Sequence, residues 1–357
     1  MAEPDALLSH IGWRGSLPAS SAATAGTHLA RVIAQHRAGY ELHDGAHAFN
    51  AQPAARFLKA DIDPGERPAV GDFVRVRAAT PPVIEEVLPR RSVLARAAAG
   101  ERHQRQIIAT NVDSVLILCG LDGDFNPARI ERYLMLVQDS GAQAVVVLTK
   151  ADTTPDARKA LDAIRARVPA NTTTIAINAK SADGIAPLLE HFGPGRTAVL
   201  VGSSGVGKST LTNTLLGETR QATAAVRATD SRGRHTTTYR ALILLPSGGC
   251  LIDTPGMREI KLTGEETLDG SQFGDIEELA QSCRFGDCSH QSEPGCGVRS
   301  ALADGRLYEA RWNNYLKLRD ELAAAADSLE AQMRRKSESR VLTKALGKRL
   351  SEKYGKR

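Results

Sequence analysis

The segment GSSGVGKS at 202–209 constrains this chain more than any other stretch of its sequence. It fits the pattern G-x-x-x-x-G-K-[ST], follows the apolar run TAVLV, and precedes TLTNTLL, so a strand enters the loop and a helix leaves it. In that context the backbone amides surround phosphate oxygens and the helix N-terminus adds its dipole. We expect Lys208 to reach the outer phosphates and Ser209 to ligate Mg²⁺; the alternative is a glycine-rich turn. The predicted phosphate-binding residues are Gly202, Ser203, Ser204, Gly205, Val206, Gly207, Lys208, Ser209 and Thr210.

The sequence around this loop alternates between buried strands and amphipathic helices. VDSVLILCG, AQAVVVLTK and TTTIAIN read as strands, whereas PARIERYLMLVQDSG, DARKALDAIRARV and IAPLLEHFG read as helices. Strands alternating with helices of this length predict βαβ units and a mostly parallel sheet. The fold class expected here is therefore a multidomain α/β protein with a phosphate-binding loop.

The segment TKAD at 149–152 predicts which base the nucleotide carries. A carboxylate such as Asp152 can accept hydrogen bonds from both N1–H and the N2 amine of guanine, whereas adenine would present a lone pair. Unpaired buried polar groups are costly, so this site would select guanine strongly. Thr149, Lys150 and Ala151 complete the segment, and Ala179 of the later INAK offers a backbone amide to the base oxygen. The alternative for TKAD is a surface lysine beside a helix-capping aspartate.

DTPG at 253–256 and RGRHTTTYR at 232–240 have the character of switch segments. Asp253 is placed to hold a water of Mg²⁺, and the Gly256 amide to sense the γ-phosphate. Thr236 or Thr237 would complete the magnesium coordination, and we assign Thr237. The alternative for HTTT is an edge strand rich in β-branched residues.

Residues 29–96 carry short alternating segments separated by glycine and proline. Several short strands at this spacing predict a small barrel or sandwich, and about five of them in some seventy residues suit an OB-type barrel that binds oligonucleotides. Basic residues are interleaved but aromatic residues are sparse, so simple packing remains an alternative to contact with nucleic acid.

Three of the five cysteines fall within fourteen residues and share that segment with a histidine. The spacing Cys283-x4-Cys288-x-His290-x5-Cys296 supplies three thiolates and one imidazole. Such a donor set predicts a closed, tetrahedral and structural Zn²⁺ site, the alternative being unrelated free thiols.

The formal charge of +5 is unevenly distributed. Residues 332–357 hold ten basic and two acidic residues, and the remainder of the chain holds 36 basic and 39 acidic ones. This basic tail is either a solvated helix end or an arm that binds polyanions. The apolar runs are too short to span a bilayer, and MAEPDALL lacks the pattern of a signal segment, so we expect a cytoplasmic chain without membrane contact.

The base-reading segments precede the phosphate loop and DTPG, which is a rotated order. With the OB-like segment containing GDFVRV, the GRHTTT and DTPGMRE motifs and the Cys/His cluster, the chain resembles the ribosome small subunit-dependent GTPase A family of circularly permuted GTPases over roughly residues 30–320. The resemblance implies GTP hydrolysis stimulated by the 30S subunit during its late maturation, contact with 16S rRNA, and a monomer that binds GTP and GDP. A nucleotide-gated RNA-binding or chaperone module with incidental hydrolysis is the rival interpretation.

These interpretations divide the chain into five parts. They are a flexible arm (1–27), an OB-fold RNA-binding domain (28–105), a circularly permuted GTPase domain (106–270), a zinc-binding helical domain (271–331) and the basic tail (332–357).

Three residues depart from common GTPase patterns. Thr149 stands where an asparagine usually braces the phosphate loop, which predicts lower affinity, and Asn178 stands where a serine is usual. Met257 follows DTPG, and a thioether cannot orient water. The resemblance points to His235 as the catalytic group that orients or deprotonates the attacking water. The alternative is a histidine that contacts only solvent or RNA.

Overall fold

The computed structural model describes residues 4–14, 26–59, 62–97, 105–217, 240–254, 262–263, 266, 268 and 270–327. The chain divides into two compact units. The first unit comprises residues 1–96, 106–260 and 269–274, and the second comprises 97–105, 261–268 and 275–357. Within the described residues, the helices are all too short or too polar to cross a membrane.

The N-terminal part of the first unit is a closed five-stranded barrel. Its strands are β1 (Thr27–His36), β2 (Gly39–His43), β3 (Ala48–Pro53), β4 (Phe73–Arg77) and β5 (Val83–Val87). They follow the order β1-β2-β3-β5-β4, and β4 pairs with β1 to close the barrel. Only the β3–β5 pair is parallel among these. Val32, Leu42, Val74 and Ile84 fill the interior, and the five-stranded closed arrangement confirms the OB-like prediction.

A two-stranded sheet connects the barrel to the second half of this unit. It pairs β6 (Val93–Ala97) with β7 (Arg105–Thr110). The domain boundary that we predict at 105/106 falls at the start of β7.

The remaining strands of the first unit form a mostly parallel sheet. Its elements are β8 (Ser114–Gly120), α2 (Pro127–Gln138), β9 (Gln143–Thr149), α3 (Ala157–Arg165), β10 (Thr173–Ala176), α4 (Ala182–Ile185), β11 (Thr197–Gly202), α5 (Lys208–Leu216), β12 (Ala241–Leu244) and β13 (Cys250–Asp253). The order is β10-β9-β8-β11-β13-β12, and β12 alone in this set runs antiparallel to its neighbour. Every residue of β8 and β11 is buried, as expected for strands covered on both faces.

The segment IAPLLEHFG differs from the predicted helix. After the four residues of α4, the chain continues as a 3₁₀ helix over Ala186–Phe192. Pro187 lies at the start of this stretch and has no N–H to donate, so the α-helical ladder is interrupted there.

The flexible arm predicted for residues 1–27 is wrong for residues 4–14. Residues Pro4–Ser9 form α1, and Leu8 and Ile11 are buried against Phe73 and Leu88 of the barrel. The physical reason is that these apolar side chains cover barrel residues that would otherwise face water, a contact that no local periodicity signals. Residues 15–25 lie outside the described part of the chain.

The second unit is helical. Its described elements are α7 (Gly297–Ala303) and α8 (309–327), together with the C-terminal part of α6 (Gly270–Gln281). Val298, Ala301 and Leu318 are fully buried in it. Arg311 donates two hydrogen bonds of 2.7 Å to the Asp275 carboxylate, which joins α8 to α6. The basic tail lies outside the described residues.

Candidate functional site

The candidate nucleotide site lies along one edge of the parallel sheet. Strands β8, β9, β10, β11 and β13 run parallel, so their carboxyl ends meet at this edge. The loops that follow these strands carry LDGD, TKAD, INAK and the GSSGVGKS segment, and Asp253 ends β13 at the same edge. The structure thereby brings together segments that are separated by more than 100 residues of sequence.

The phosphate loop has the backbone that its glycines permit. Gly202, Gly205 and Gly207 have φ angles of 146°, 80° and 106°, in the region that side chains with a Cβ rarely adopt. A Cβ on Gly202 would lie 2.6 Å from the Leu118 carbonyl oxygen, so the strand itself enforces glycine there. Helix α5 begins at Lys208, directly after the loop.

Lys208 is buried within this loop. Its Nζ donates hydrogen bonds of 2.7 Å to the Gly202 carbonyl and 2.6 Å to the Ser203 carbonyl. Burial lowers the pKa of Lys208, while the nearby charges of Asp253 and Asp124 act to raise it. Asp253, at the end of β13, is therefore within electrostatic range of Lys208, the predicted phosphate-binding lysine.

The Thr149 side chain joins the base-reading segment to the phosphate loop. Its hydroxyl donates a 2.6 Å hydrogen bond to the Val206 carbonyl, and both residues are fully buried. An asparagine at this position usually braces the phosphate loop. In this structure Thr149 makes such a contact.

Two ion pairs flank the position predicted for the base. Asp152 accepts a 3.1 Å contact from Lys180, whose hydrogen bond lowers the Asp152 pKa. Lys150 adopts a left-handed backbone with φ of 60° and pairs with Asp122. The carboxylate of Asp152 is therefore ionised and lies at the surface, where an incoming base can reach it.

The next strand supplies the second base-reading loop. The Ala151 amide donates to the Ile177 carbonyl at 3.1 Å, which ties the two loops together. The Asn178 side chain accepts a 3.0 Å hydrogen bond from the Lys180 amide, so this replacement of serine closes a local turn. Ala179 is buried, and its carbonyl accepts the Thr214 hydroxyl of α5 at 2.6 Å.

Several residues behind the phosphate loop were missed by sequence reasoning. The Ser203 hydroxyl donates to the Asp124 carboxylate, and Arg129 donates to the same carboxylate at 2.6 Å. Burial raises the pKa of Tyr133 to about 12, although a hydrogen bond from the Gly202 backbone opposes the shift. The acidic pair in LDGD, at the carboxyl end of a parallel strand, is the signal that could have identified Asp122 and Asp124.

Four predicted residues lie outside the described part of the chain: His235, Thr236, Thr237 and Gly256. Their roles stay predictions. Of the other predicted residues, Ser204 lies in the phosphate loop, and Ser209 and Thr210 lie in the first turn of α5.

The second unit holds a compact cluster of metal-ligand residues. One donor atom from each of Cys283, Cys288, His290 and Cys296 lies within 4.8 Å of the others. The Cys283 and Cys296 sulfurs are 3.9 Å apart, and His290 Nδ1 lies 3.5 and 3.4 Å from them. Tetrahedral Zn²⁺ with Zn–S bonds of about 2.3 Å requires sulfur separations of about 3.8 Å, so the residues fit such an ion.

Backbone geometry supports the same cluster. The amides of Gly297 and Arg299 donate to the Cys283 and Cys296 sulfurs at 3.3 and 3.4 Å, so both sulfurs are held in position by the backbone. The Glu293 carboxylate accepts hydrogen bonds from the Ser289 hydroxyl and from three backbone amides of the 289–292 loop. The Ser289 hydrogen bond is the largest cause that lowers the Glu293 pKa to about 2.

Comparison with known proteins identifies the family. Residues 87–263 match the model of the RsgA GTPase family. The small ribosomal subunit biogenesis GTPase RsgA of Xanthomonas axonopodis pv. citri is 52% identical over 334 residues, with 91% of each chain covered. Its counterpart in Xanthomonas campestris pv. campestris is 53% identical over 305 residues, covering 85% of this chain and 83% of the relative.

Solved structures agree in fold. YjeQ from Thermotoga maritima superposes with a TM-score of 0.56 at 24% identity, covering 83% of this chain and 99% of that one. YloQ, described as a circularly permuted GTPase, superposes with a TM-score of 0.53 at 26% identity, covering 85% and 97%. Because its relatives are this similar over nearly their whole length, the chain belongs to the RsgA GTPase family, and the loops that we predict to read the base precede its phosphate loop in the permuted order.

Proposed function

We propose that this chain hydrolyses GTP as a factor in the late maturation of the 30S small ribosomal subunit. The observation that carries the proposal is the convergence of Asp152, Lys208 and Asp253 at one sheet edge, with Thr149 joining the base and phosphate loops. The relatives bear the name of small ribosomal subunit biogenesis GTPase. GTP and GDP are the ligands of this site.

Each residue of the nucleotide site has a binding role that follows from its chemistry. Asp152 accepts the N1–H and N2 amine of guanine, Lys150 lies along the base, and the Ala179 amide binds the base oxygen. The loop amides and Lys208 hold the phosphates. Ser209 and Thr237 would ligate Mg²⁺ and Asp253 would hold one of its waters; the bound ion would neutralise charge on the phosphates.

Two residues of the switch segments are assigned to hydrolysis. The Gly256 amide senses the γ-phosphate, and neutral His235 accepts a proton from, or orients, the attacking water. Met257 cannot perform this role because its thioether offers no proton acceptor of comparable strength.

One structural Zn²⁺ per chain belongs in the Cys283, Cys288, His290 and Cys296 cluster. The supporting facts are the sulfur–sulfur separation, the amides directed at two sulfurs, and a donor set of three thiolates and one imidazole. All four positions are filled by protein groups, so the site is closed to substrate and serves the fold of the second unit.

The flanking domains supply contact with 16S rRNA. We assign the rRNA contact to the OB-fold domain (28–105) and the zinc-binding domain (271–331). The basic tail (332–357) adds binding to RNA phosphates that does not depend on the RNA sequence. Binding of GTP orders the switch segments and sets how the flanking domains hold RNA, and hydrolysis releases them. The protein acts as a monomer in the cytoplasm.

The test is GTP turnover with and without purified 30S particles. We expect slow intrinsic turnover that 30S particles accelerate, and competition for the site by GTP and not by ATP. Equal rates with and without 30S would contradict the proposal. His235→Ala should lose turnover while keeping GTP affinity. Unchanged turnover in this variant would instead favour the RNA-binding module with incidental hydrolysis.

A further inference from the structure

Ser203 contacts two charged residues, one through its side chain and one through its backbone. Its hydroxyl donates to Oδ2 of Asp124, in the loop after β8. Its carbonyl accepts the Lys208 Nζ at 2.6 Å. A single residue of the phosphate loop thus connects a carboxylate outside the loop to the lysine inside it.

Asp124 is itself held in place. Arg129 Nη1 donates to Asp124 Oδ1 at 2.6 Å, and the Arg129 amide is bound by the N-capping Asn126 at the start of α2. The guanidinium compensates the carboxylate charge, so Asp124 can lie beside a loop that binds phosphates without a full uncompensated negative charge.

We propose that Asp124 is a positioning residue that acts through Ser203 to hold Lys208 ready for the outer phosphates of GTP. This inference rests on the GTP-binding function proposed above. Asp124 touches no substrate in this role; it fixes the Ser203 peptide, whose carbonyl is one of the two acceptors that orient the ammonium group.

Because Lys208 is buried, its hydrogen bond to the Ser203 carbonyl matters for where the ammonium group points. The lysine is only 9% exposed, so its ammonium group depends on protein acceptors in place of water. If the Ser203 peptide rotates, Lys208 loses one of its two carbonyl acceptors and its remaining N–H bonds no longer point consistently at the ligand. Affinity is then lowered for nucleotides whose β- and γ-phosphates reach Lys208.

The competing interpretation is that Asp124 only closes the turn after β8. Its amide does donate to the Asp122 side chain at 3.2 Å, so the residue takes part in that turn. A turn that merely supports the fold would affect all guanine nucleotides alike, whereas a contact to Lys208 would discriminate among them by phosphate number.

The experiment measures the affinities of GTP, GDP and GMP by displacement of a fluorescent GDP analogue. For Asp124→Ala we expect GTP and GDP to bind about tenfold more weakly, the usual effect of losing a hydrogen bond to a charged group. GMP, which does not extend to Lys208, should change less than about twofold. Asp124→Asn should recover most of the loss, because its amide oxygen can still accept the Ser203 hydroxyl.

Asp122→Ala is the matched control. It removes the ion pair with Lys150 and the acceptor of the Asp124 amide, and so loosens the turn, but it leaves the Asp124 carboxylate in place. Because all three nucleotides carry the same base, any loss in this variant should be equal for GTP, GDP and GMP.

A double-mutant cycle isolates the contact itself. Ser203→Ala alone should reproduce the Asp124→Ala pattern, and the double variant should be no weaker than either single variant. Additive losses, or equal losses for all three nucleotides, would overturn the inference. If Asp124→Ala fails to fold, Ser203→Ala and Asp124→Asn make the same comparison. A wild-type protein that binds no GTP would refute the proposed function and not this contact alone.

Discussion

The Thr149 hydroxyl donates a 2.6 Å hydrogen bond to the Val206 carbonyl, across 57 residues of sequence. This bond connects the end of β9, which leads to Asp152, the predicted base-reading residue, with the centre of the phosphate loop. A threonine therefore makes the bracing contact that GTPases of the common pattern assign to an asparagine. Whether nucleotide affinity is nonetheless lower stays a prediction.

Thr149→Val should weaken nucleotide binding and lower stability. The substitution keeps the shape of the side chain and leaves the buried Val206 carbonyl without its donor, which costs about 1–3 kcal/mol. Displacement assays with a fluorescent GDP analogue and urea unfolding measure the two effects. Thr149→Ser retains the hydroxyl and is the matched control, so a serine variant as weak as the valine variant would argue that packing, not the hydrogen bond, matters.

Arg31→Met should destabilise the first unit by at least about 3 kcal/mol, because several buried carbonyls would lose their donor. Arg31 is fully buried and donates to the carbonyls of Gly71, Ile11 and Asn111. It also donates to the Thr197 hydroxyl at 2.8 Å, which links barrel strand β1 to strand β11. Urea unfolding gives the change in the free energy of unfolding.

Arg37→Met is the control for that measurement. Arg37 is exposed in the turn after β1, so the same chemical change there should alter stability by no more than about 0.5 kcal/mol. Similar losses in the two variants would show that the burial of Arg31 contributes nothing.

Tyr133 should be a late-titrating phenol. Burial raises its pKa to about 12, against about 10 for an unfolded tyrosine. Between these values the unfolded chain releases the proton and the folded chain keeps it. This group therefore reduces stability as pH rises from about 10 to about 12, and has no effect below that window.

Phenolate absorbance during an alkaline titration tests this expectation. Tyr133→Phe should remove one transition near pH 12 and make the stability less steep above pH 10. Loss of absorbance change near pH 10 in the variant, with the transition near pH 12 retained, would show that Tyr133 ionises at an ordinary pH.

Removal of metal should unfold the second unit selectively. The four ligand residues lie between α6 and α7, and an ion that binds only the folded state contributes its binding energy to folding. We expect one zinc per chain by elemental analysis, and a loss of helical circular dichroism on chelation that zinc restores. Cys288→Ser should lose the metal, whereas Ser289→Ala, beside it, should keep it. Full helicity without metal would contradict this role.

Truncation after Gln332 should weaken binding to 30S particles and leave GTP affinity intact. It removes ten basic and two acidic residues, and so a net charge of +8 that can neutralise phosphates. Binding by the full chain should fall more steeply with salt than binding by the truncated chain. A tail of equal length with its basic residues replaced by serine is the control, and wild-type binding by that chain would rule out the electrostatic role.

Much of the architecture could be predicted because its signals are local. The phosphate loop depends on consecutive residues between a strand and a helix, and the Cys/His cluster on ligands within fourteen residues. The barrel and the alternating strands and helices follow from hydrophobic periodicity. The packing of residues 4–14 could not be read this way, because Leu8 and Ile11 gain their burial from barrel residues distant in sequence.

The sequence by itself determined the order of the motifs, and with it the permuted GTPase arrangement and the family. Only the tertiary structure decided how those motifs are supported: Thr149 bracing Val206, Asp124 bound to Ser203, and Arg31 linking the barrel to β11. Each of these contacts joins residues 57 to 166 positions apart. Their geometry depends on strand order and register across the sheet, which long-range packing sets and short sequence patterns do not encode.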